Sequence, residues 1–265
     1  MVERFHPAAM RSRFGSCRRC VAAAVHLLFS GLVAAFVVVL VFLVWYPAPF
    51  ATIAGGTSLF KLLIAVDVIL GPSLTLVVAS SKKSSRELSR DLFVIIAFQL
   101  AGLGYGIYAM ALARPVIVSF EVDRFRIVTA ADIDSTLLLQ APDLLRSLSW
   151  TGPHLIGTIK PTDPSEQLRS IELGLNGVDL SMVPKNWVPF EQVRGVVVRK
   201  SRPISVLLKH VPVASDLVAQ VATEHGMAPA DLRFLPLVSR RASWLVLLSA
   251  ASAEPLAYLP IDGFF

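Results

Sequence analysis

The sequence predicts a membrane protein with three transmembrane α-helices followed by a C-terminal α+β extracytoplasmic domain. Three observations carry that prediction. Long apolar runs fill the first 113 residues, the basic residues between them lean to one side, and at Arg114-Pro115 the chain turns to a charge-balanced stretch carrying both strand and helix patterns. The expected organisation is a basic tail over 1–20, a three-helix region over 21–113 and a soluble domain over 114–265.

The apolar runs are Val21 to Tyr46, Leu59 to Ser80 and Leu92 to Ala113. At about 1.5 Å rise per residue, each is long enough to cross a hydrocarbon core of about 30 Å. Arg4, Arg11, Arg13, Arg18 and Arg19 precede the first run, and Lys82, Lys83, Arg86 and Arg90 fill the hinge between the second and third, whereas Pro47 to Ser58 has no basic residue. The positive-inside rule therefore puts the N-terminus and the Lys82–Arg90 loop in the cytoplasm and everything after Arg114 outside. A cleaved signal peptide is the rival reading of the first run. That run is about twice the usual apolar region of such a peptide, and Trp45-Tyr46-Pro47 has the character of an aromatic interface anchor.

Residues 114–265 hold fifteen Lys+Arg and fifteen Asp+Glu, so the whole net charge of +6 belongs to residues 1–113. The basic balance reports membrane topology and gives no reason to expect a nucleic-acid partner. Both cysteines, Cys17 and Cys20, lie in the basic tail. With no second ligand pair nearby they read as two reduced thiols in a frayed tail, and the outer domain must cohere through its core without disulfides.

Polar residues inside the spans come next, because an ionisable group at mid-membrane is costly unless it faces protein or water. Asp67 lies about two turns into the second span, nearer its outer side, and should face the other two helices. Pro72 frees a carbonyl one turn back, near Val68, and Gly71 weakens the same stretch, so a kink is expected there. His26 and Gln99 sit in the cytoplasmic thirds of their spans and are placed to share polar contacts. Two readings follow for Asp67, a proton or ion path and a buried polar clasp that fixes packing, and a single carboxylate favours the clasp. In the third span Gly102 and Gly106 form a small-xxx-small face suited to close approach of a helix, which supports packing within this bundle at least as well as dimerisation or docking of a partner's membrane helix.

The soluble domain opens with Val116 to Val122, alternating and β-branched, as a strand running straight off the third helix. Glu121, Asp123, Arg124 and Arg126 then gather charge in what reads as a position close to the membrane surface. Pro142 to Leu148 reads as a short helix and His154 to Lys160 as a strand. Asp163-Pro164 supplies an N-cap and a proline at the first helical position, starting a helix to about Leu175 that Gly177 ends. Phe190 to Lys200 and Ile204 to Lys209 are helical with Pro203 between them, and Ser215 caps a helix that stops at Gly226. Leu232 to Val238, Trp244 to Ser249 and Leu256 to Ile261 read as strands, the first two joined by a tight turn at Ser239-Arg240-Arg241. Strands at both ends with helices between predict an α+β domain whose terminal strands pair in one sheet.

Linear signatures of catalysis are missing: no nucleophile elbow, zinc-protease helix, phosphate loop or dinucleotide fingerprint occurs. His154, His210 and His225 each stand alone in their local sequence, and no cofactor or metal site is expected. Trp187 and Phe190, in Pro184-Lys185-Asn186-Trp187-Val188-Pro189-Phe190, are candidate partner contacts together with Glu121, Asp123 and Arg124. For Trp187 the competing reading is burial in its own core, since tryptophan supplies large area in either setting.

The order of motifs resembles the type IV pilin accessory proteins of the TfpX/TfpZ type. The phrases are Val44-Trp45-Tyr46-Pro47-Ala48-Pro49, Asp67-Val68-Ile69-Leu70-Gly71-Pro72-Ser73-Leu74-Thr75-Leu76, the loop Lys82 to Asp91, and Ala113-Arg114-Pro115 followed by Phe120-Glu121-Val122-Asp123-Arg124-Phe125. The likeness continues through Gly177-Val178-Asp179-Leu180, Trp187-Val188-Pro189-Phe190 and Leu235-Pro236-Leu237-Val238 to Leu259-Pro260-Ile261-Asp262-Gly263-Phe264. The long N-terminal tail with its arginines and cysteines departs from the pattern. The resemblance implies a multi-pass inner-membrane protein of Gram-negative bacteria with a periplasmic domain. It implies a non-enzymatic role, assisting assembly or retraction of one type IV major pilin, whose subunits wait in the membrane as a single helix with an outer head. The family brings no catalytic residues. The alternatives are a small transporter or sensor component using Asp67, and an enzyme in the periplasmic domain.

Overall fold

The computed structural model describes residues 7–78, 84–240 and 242–265, with side chains from residue 21 onward except 22 and 85. The chain divides into two compact units, one of residues up to Leu43 with Thr57–Ala111, the other of Val44–Gly56 with Leu112–Phe265.

The first unit is helical. Helix α1 (Pro7–Val38) continues as a π-helical segment, Val39–Trp45. The tail expected to fray is therefore helical in its backbone from Pro7; the side chains of Cys17 and Cys20 lie outside the described residues, as do Lys82 and Lys83. The second long helix is α3 (Gly56–Ile64), a π-helical segment Ala65–Leu70, and α4 (Gly71–Val78). The third is α5 (Ser85–Ala113). A capping box starts it, in which Ser84 N donates to Glu87 Oε2 (2.8 Å) and Glu87 N to Ser84 Oγ (3.3 Å). Ala23–Trp45, Gly56–Val78 and Arg86–Ala113 are each long and apolar enough to cross a membrane. Phe42 and Phe60 meet edge to face at 4.9 Å within this unit.

The second unit is a mixed sheet with helices on it. Strands β1 (Pro115–Glu121) and β2 (Arg124–Thr129) form an antiparallel hairpin. They are followed by β3 (His154–Thr158), α6 (Pro164–Leu175), β4 (Trp187–Pro189), α7 (Phe190–Lys200), β5 (Arg202–Pro203), α8 (Ile204–His210) and α9 (Ser215–Glu224). The chain closes with β6 (Leu232–Val238), β7 (Ser243–Ser249) and β8 (Pro255–Leu259). The sheet order is β4-β3-β1-β2-β6-β7-β8, with β5 on β6. The β1/β3 and β2/β6 pairs are parallel and the others antiparallel. The early hairpin and the late strands thus share one sheet, joined at β2/β6.

Period-two patterning explains the layers. In β7, Val246 and Leu248 face one core with Phe120, Phe125, Phe190 and Val193, while Leu245 and Leu247 face another with Leu207, Val218 and Phe234. A strand covered on both faces reads as a continuous apolar run. Strand β1 is buried at every position for the same reason. Its charged end, Glu121, lies at the opposite end of the strand from the exit of α5, about 20 Å away at about 3.3 Å per residue.

Two local expectations needed correction. Pro142 to Leu148 is no α-helix; a single 3-10 turn spans Asp143–Leu145. Ser215 does not cap α9, because its own backbone is helical (φ −54°, ψ −45°) and a 3-10 turn at Pro212–Ala214 leads into the helix. By contrast Asp163 caps α6 through its carboxylate, which accepts from Glu166 N at 3.1 Å, and Gly177 ends it with φ +82°.

The loop Val44–Gly56 is part of this second unit. It carries α2 (Phe50–Ile53), whose Ile53 is fully buried in the same core as Phe120 and Val246. Phe50 packs edge-on to Tyr258 at 5.2 Å. Trp45 lies 6.1 Å from Trp150, whose ring is covered by the Arg114 guanidinium at 4.1 Å.

Candidate functional site

Within the helical unit, the second long helix begins at Gly56 rather than Leu59, so Asp67 stands midway along its described stretch, Gly56–Val78. The expected irregularity before Pro72 takes the form of the π-helical segment Ala65–Leu70. In that register a carbonyl bonds the N–H five residues on. For Asp67 the fifth residue is Pro72, which has no N–H. The Asp67 carbonyl, next to Val68, is thus left without a main-chain partner in this register. Gln99 Nε2 donates to it at 3.2 Å. Gly71 makes this possible: a Cβ there would overlap the Gln99 amide group, whose Cδ would lie 2.7 Å away.

A second polar tie joins the first and second spans, with His26 Nδ1 and the Thr75 hydroxyl hydrogen-bonded at 2.6 Å. Thr75 is fully buried. His26 and Gln99 therefore each bond the second span rather than one another. A polar clasp exists, but it uses the main chain of Asp67. The carboxylate is left over: Asp67 is 8% exposed, and its Oδ1, like Gln99 Oε1, is buried without a hydrogen-bond partner among the described residues. Both residues line a cleft of about 440 Å³ whose walls come from α1 and α5.

Gly102 and Gly106 do not make one free docking face. A Cβ on Gly106 would lie 2.5 Å from Leu63 Cδ1, so Leu63 already occupies that position, whereas nothing lies within 4 Å of a Cβ at Gly102. Four-residue spacing placed them on one side of the helix. The packing of α3 then used only one of them.

In the second unit, three of the five candidate contact residues are withdrawn from any surface. Trp187 is 2% exposed, with its indole N–H donating to Ser181 O at 2.8 Å, and Phe190 is a core residue beside Phe125. Glu121 is buried too, accepting from Ser181 N at 3.3 Å and facing Arg126, which reaches Asp179 at 3.0 Å. These groups tie the β1–β2 hairpin to the 3-10 turn at Leu180–Met182. Asp123 and Arg124 stay at the surface, paired at 2.8 Å, and the Arg124 guanidinium lies 4.9 Å above the ring of Phe264. Among the described residues, no group of three or more His, Cys, Asp or Glu is placed to hold a metal, and no hydrogen bond or ion pair joins His154, His210 or His225 to a carboxylate.

Residues 16–55 match the family model described as Fimbrial assembly protein FimB. The fimbrial assembly protein of serogroup I from Dichelobacter nodosus is 34% identical over 227 residues, covering 84% of this chain and 88% of that protein. The chain belongs to the fimbrial assembly protein family. The serogroup E1 protein of the same organism is 32% identical over 226 residues, again 84% of this chain and 88% of that protein. The protein of serogroups C1 and C2 is 43% identical over 109 residues, which is 41% of this chain and 83% of its own length. No solved structure matches the chain.

In this fimbrial assembly family member the matched segment 16–55 runs from α1 into the loop that sends Ile53 into the core of the second unit. Sequence reading missed the roles of Gly71, Thr75 and that loop. The signals were present in part, as a glycine directly before proline, a threonine in an apolar run, and apolar Phe50 and Ile53 in a loop between spans.

Proposed function

We propose that this chain is a non-enzymatic, multi-pass inner-membrane accessory protein that assists assembly or retraction of a specific type IV major pilin. The observation that carries the reading is the relationship to fimbrial assembly proteins along most of the chain. In this reading the three apolar helices cross the bilayer, the N-terminus is cytoplasmic, and residues 114–265 are periplasmic with the client pilin as partner. The fold of the first loop supports that topology. Val44–Gly56 and Leu112–Phe265 belong to one compact unit, so they share a side, and the chain between them must cross an even number of times.

The test has two parts. In a pilus-producing strain, deletion of the gene should abolish or strongly reduce surface pili, and crosslinking of the tagged full-length chain in cells should recover the major pilin. Undiminished pili and no recovered pilin would overturn the reading. For topology, Cys17 and Cys20 are replaced by serine and single cysteines are introduced at exposed Thr52 and Ser243. Both should react with a membrane-impermeant thiol reagent in intact spheroplasts; protection of both would reverse the orientation.

A further inference from the structure

We propose that the cleft over Asp67 is the seat of one membrane-crossing helix of a partner chain, which donates a side-chain hydrogen bond to the Asp67–Gln99 pair that lines it. The walls have the spacing of helix faces. Val25, Phe29 and Val33 recur at four-residue intervals on α1, and Ile96, Leu100 and Leu103 at four and three on α5. At the rim Phe29 is 60% and Leu100 56% exposed. None of the most apolar window of α5 is buried, so the third helix stands largely unpacked beside this opening.

The floor decides what fits. A buried acceptor without a donor is destabilising, and more so in hydrocarbon, where water cannot supply one. Here two such acceptors, one belonging to a carboxylate, lie at mid-span against the same cleft. A lipid tail would fill the apolar walls and leave both unpaired. A protein segment entering at this depth must satisfy its own backbone and so must be a helix. The occupant is therefore a single apolar helix with a hydroxyl, amide or cationic donor near its middle. This goes beyond the accessory reading and rests on it only in taking the helical unit to lie in the bilayer beside a client that has such a helix.

The experiment uses the full chain in membranes of pilus-producing cells. Photoreactive benzoylphenylalanine replaces Phe29 or Leu100 and, as a control outside the cleft, Phe98, which is 76% exposed; adducts are mapped by mass spectrometry. The expected result is an adduct from both cleft positions to an apolar membrane helix of another protein, within one turn of a donor side chain. The yield should exceed that at Phe98 roughly fivefold or more, equivalent to about 1 kcal/mol. Asp67→Leu should lower the yield by a similar factor, Asp67→Asn, which keeps the acceptor, should retain it, and Val33→Trp, which fills the cleft, should lower it. Adducts to lipid only, to a second copy of this chain, or to a protein but indifferent to both Asp67→Leu and Val33→Trp would overturn the proposal. If Asp67→Leu fails to accumulate, Val33→Trp decides. Loss of pili on gene deletion with lipid adducts only would remove the helix seat and leave the accessory role; retained pili with a mapped helix adduct would do the reverse.

Discussion

The side-chain amide of Gln99, on the third helix, donates to the main-chain carbonyl of Asp67, on the second, at 3.2 Å. Three neighbouring features converge on this bond. The π-register and Pro72 free the acceptor, and Gly71 clears the approach. Because the amide occupies the space that a Gly71 side chain would need, Gly71→Ala should destabilise the purified protein in detergent by about 1–3 kcal/mol. Gln99→Ala should cost less, about 0.6–1.7 kcal/mol, the range of hydrogen bonds between apolar helices. The double variant should be no worse than Gly71→Ala alone, since removing the amide removes the clash. Additive losses in thermal unfolding would refute the coupling.

The two glycines of α5 should respond differently. Gly106→Val meets Leu63 and should lower stability by about 1–3 kcal/mol. Gly102→Val faces open space and should stay within about 0.5 kcal/mol of the parent. Equal effects in the same unfolding assay would mean that Gly102 is packed after all.

Ile53 offers a sharper case, because it lies between two long apolar helices and yet is fully buried in the core of the second unit. Ile53→Ala should cost about 2–5 kcal/mol. The loss should appear as faster proteolysis within residues 115–265. Unchanged protease resistance there would separate the loop from the sheet domain.

Burial against Phe50 raises the Tyr258 phenol to about 12. An unfolded tyrosine titrates near pH 10. Between those values the folded chain keeps a proton that the unfolded chain has released, so stability is full below about pH 10 and falls as pH climbs toward about 12. Phenolate absorbance should show a late-titrating component that Tyr258→Phe removes, and the alkaline loss of stability should shrink in that variant. An unchanged alkaline titration curve in Tyr258→Phe would contradict the assignment.

Trp187 should be silent to solvent. With its ring 2% exposed and its N–H bonded to Ser181 O, its fluorescence should resist iodide, in contrast to Trp150 at 59% exposure. Trp187→Phe should cost about 1–3 kcal/mol through the unpaired Ser181 carbonyl. Pilin crosslinking from position 187 itself would overturn this placement.

Local sequence settles what neighbours within about four residues decide. The three apolar helices, the Asp163 cap and Gly177 stop of α6, the limits of α7 at Phe190 and Lys200, and strands β1, β3, β6 and β7 all follow from local periodicity and backbone sterics. Only the tertiary structure decided which residues face inward. A surface reading of Trp187 and Phe190 and a core reading fit the same local pattern, and the choice fell to partners far along the chain. Likewise the spacing of Gly102 and Gly106 could not foretell that Leu63 would occupy one of them, nor could Phe50 and Ile53 announce a core built 60 to 200 residues later. Asp67 shows the division within one residue. That it lies inside an apolar helix is written in the run around it, whereas its depth from the helix start and the use of its carbonyl for the clasp were decided by the fold, through the early start at Gly56 and Gln99 arriving from another helix.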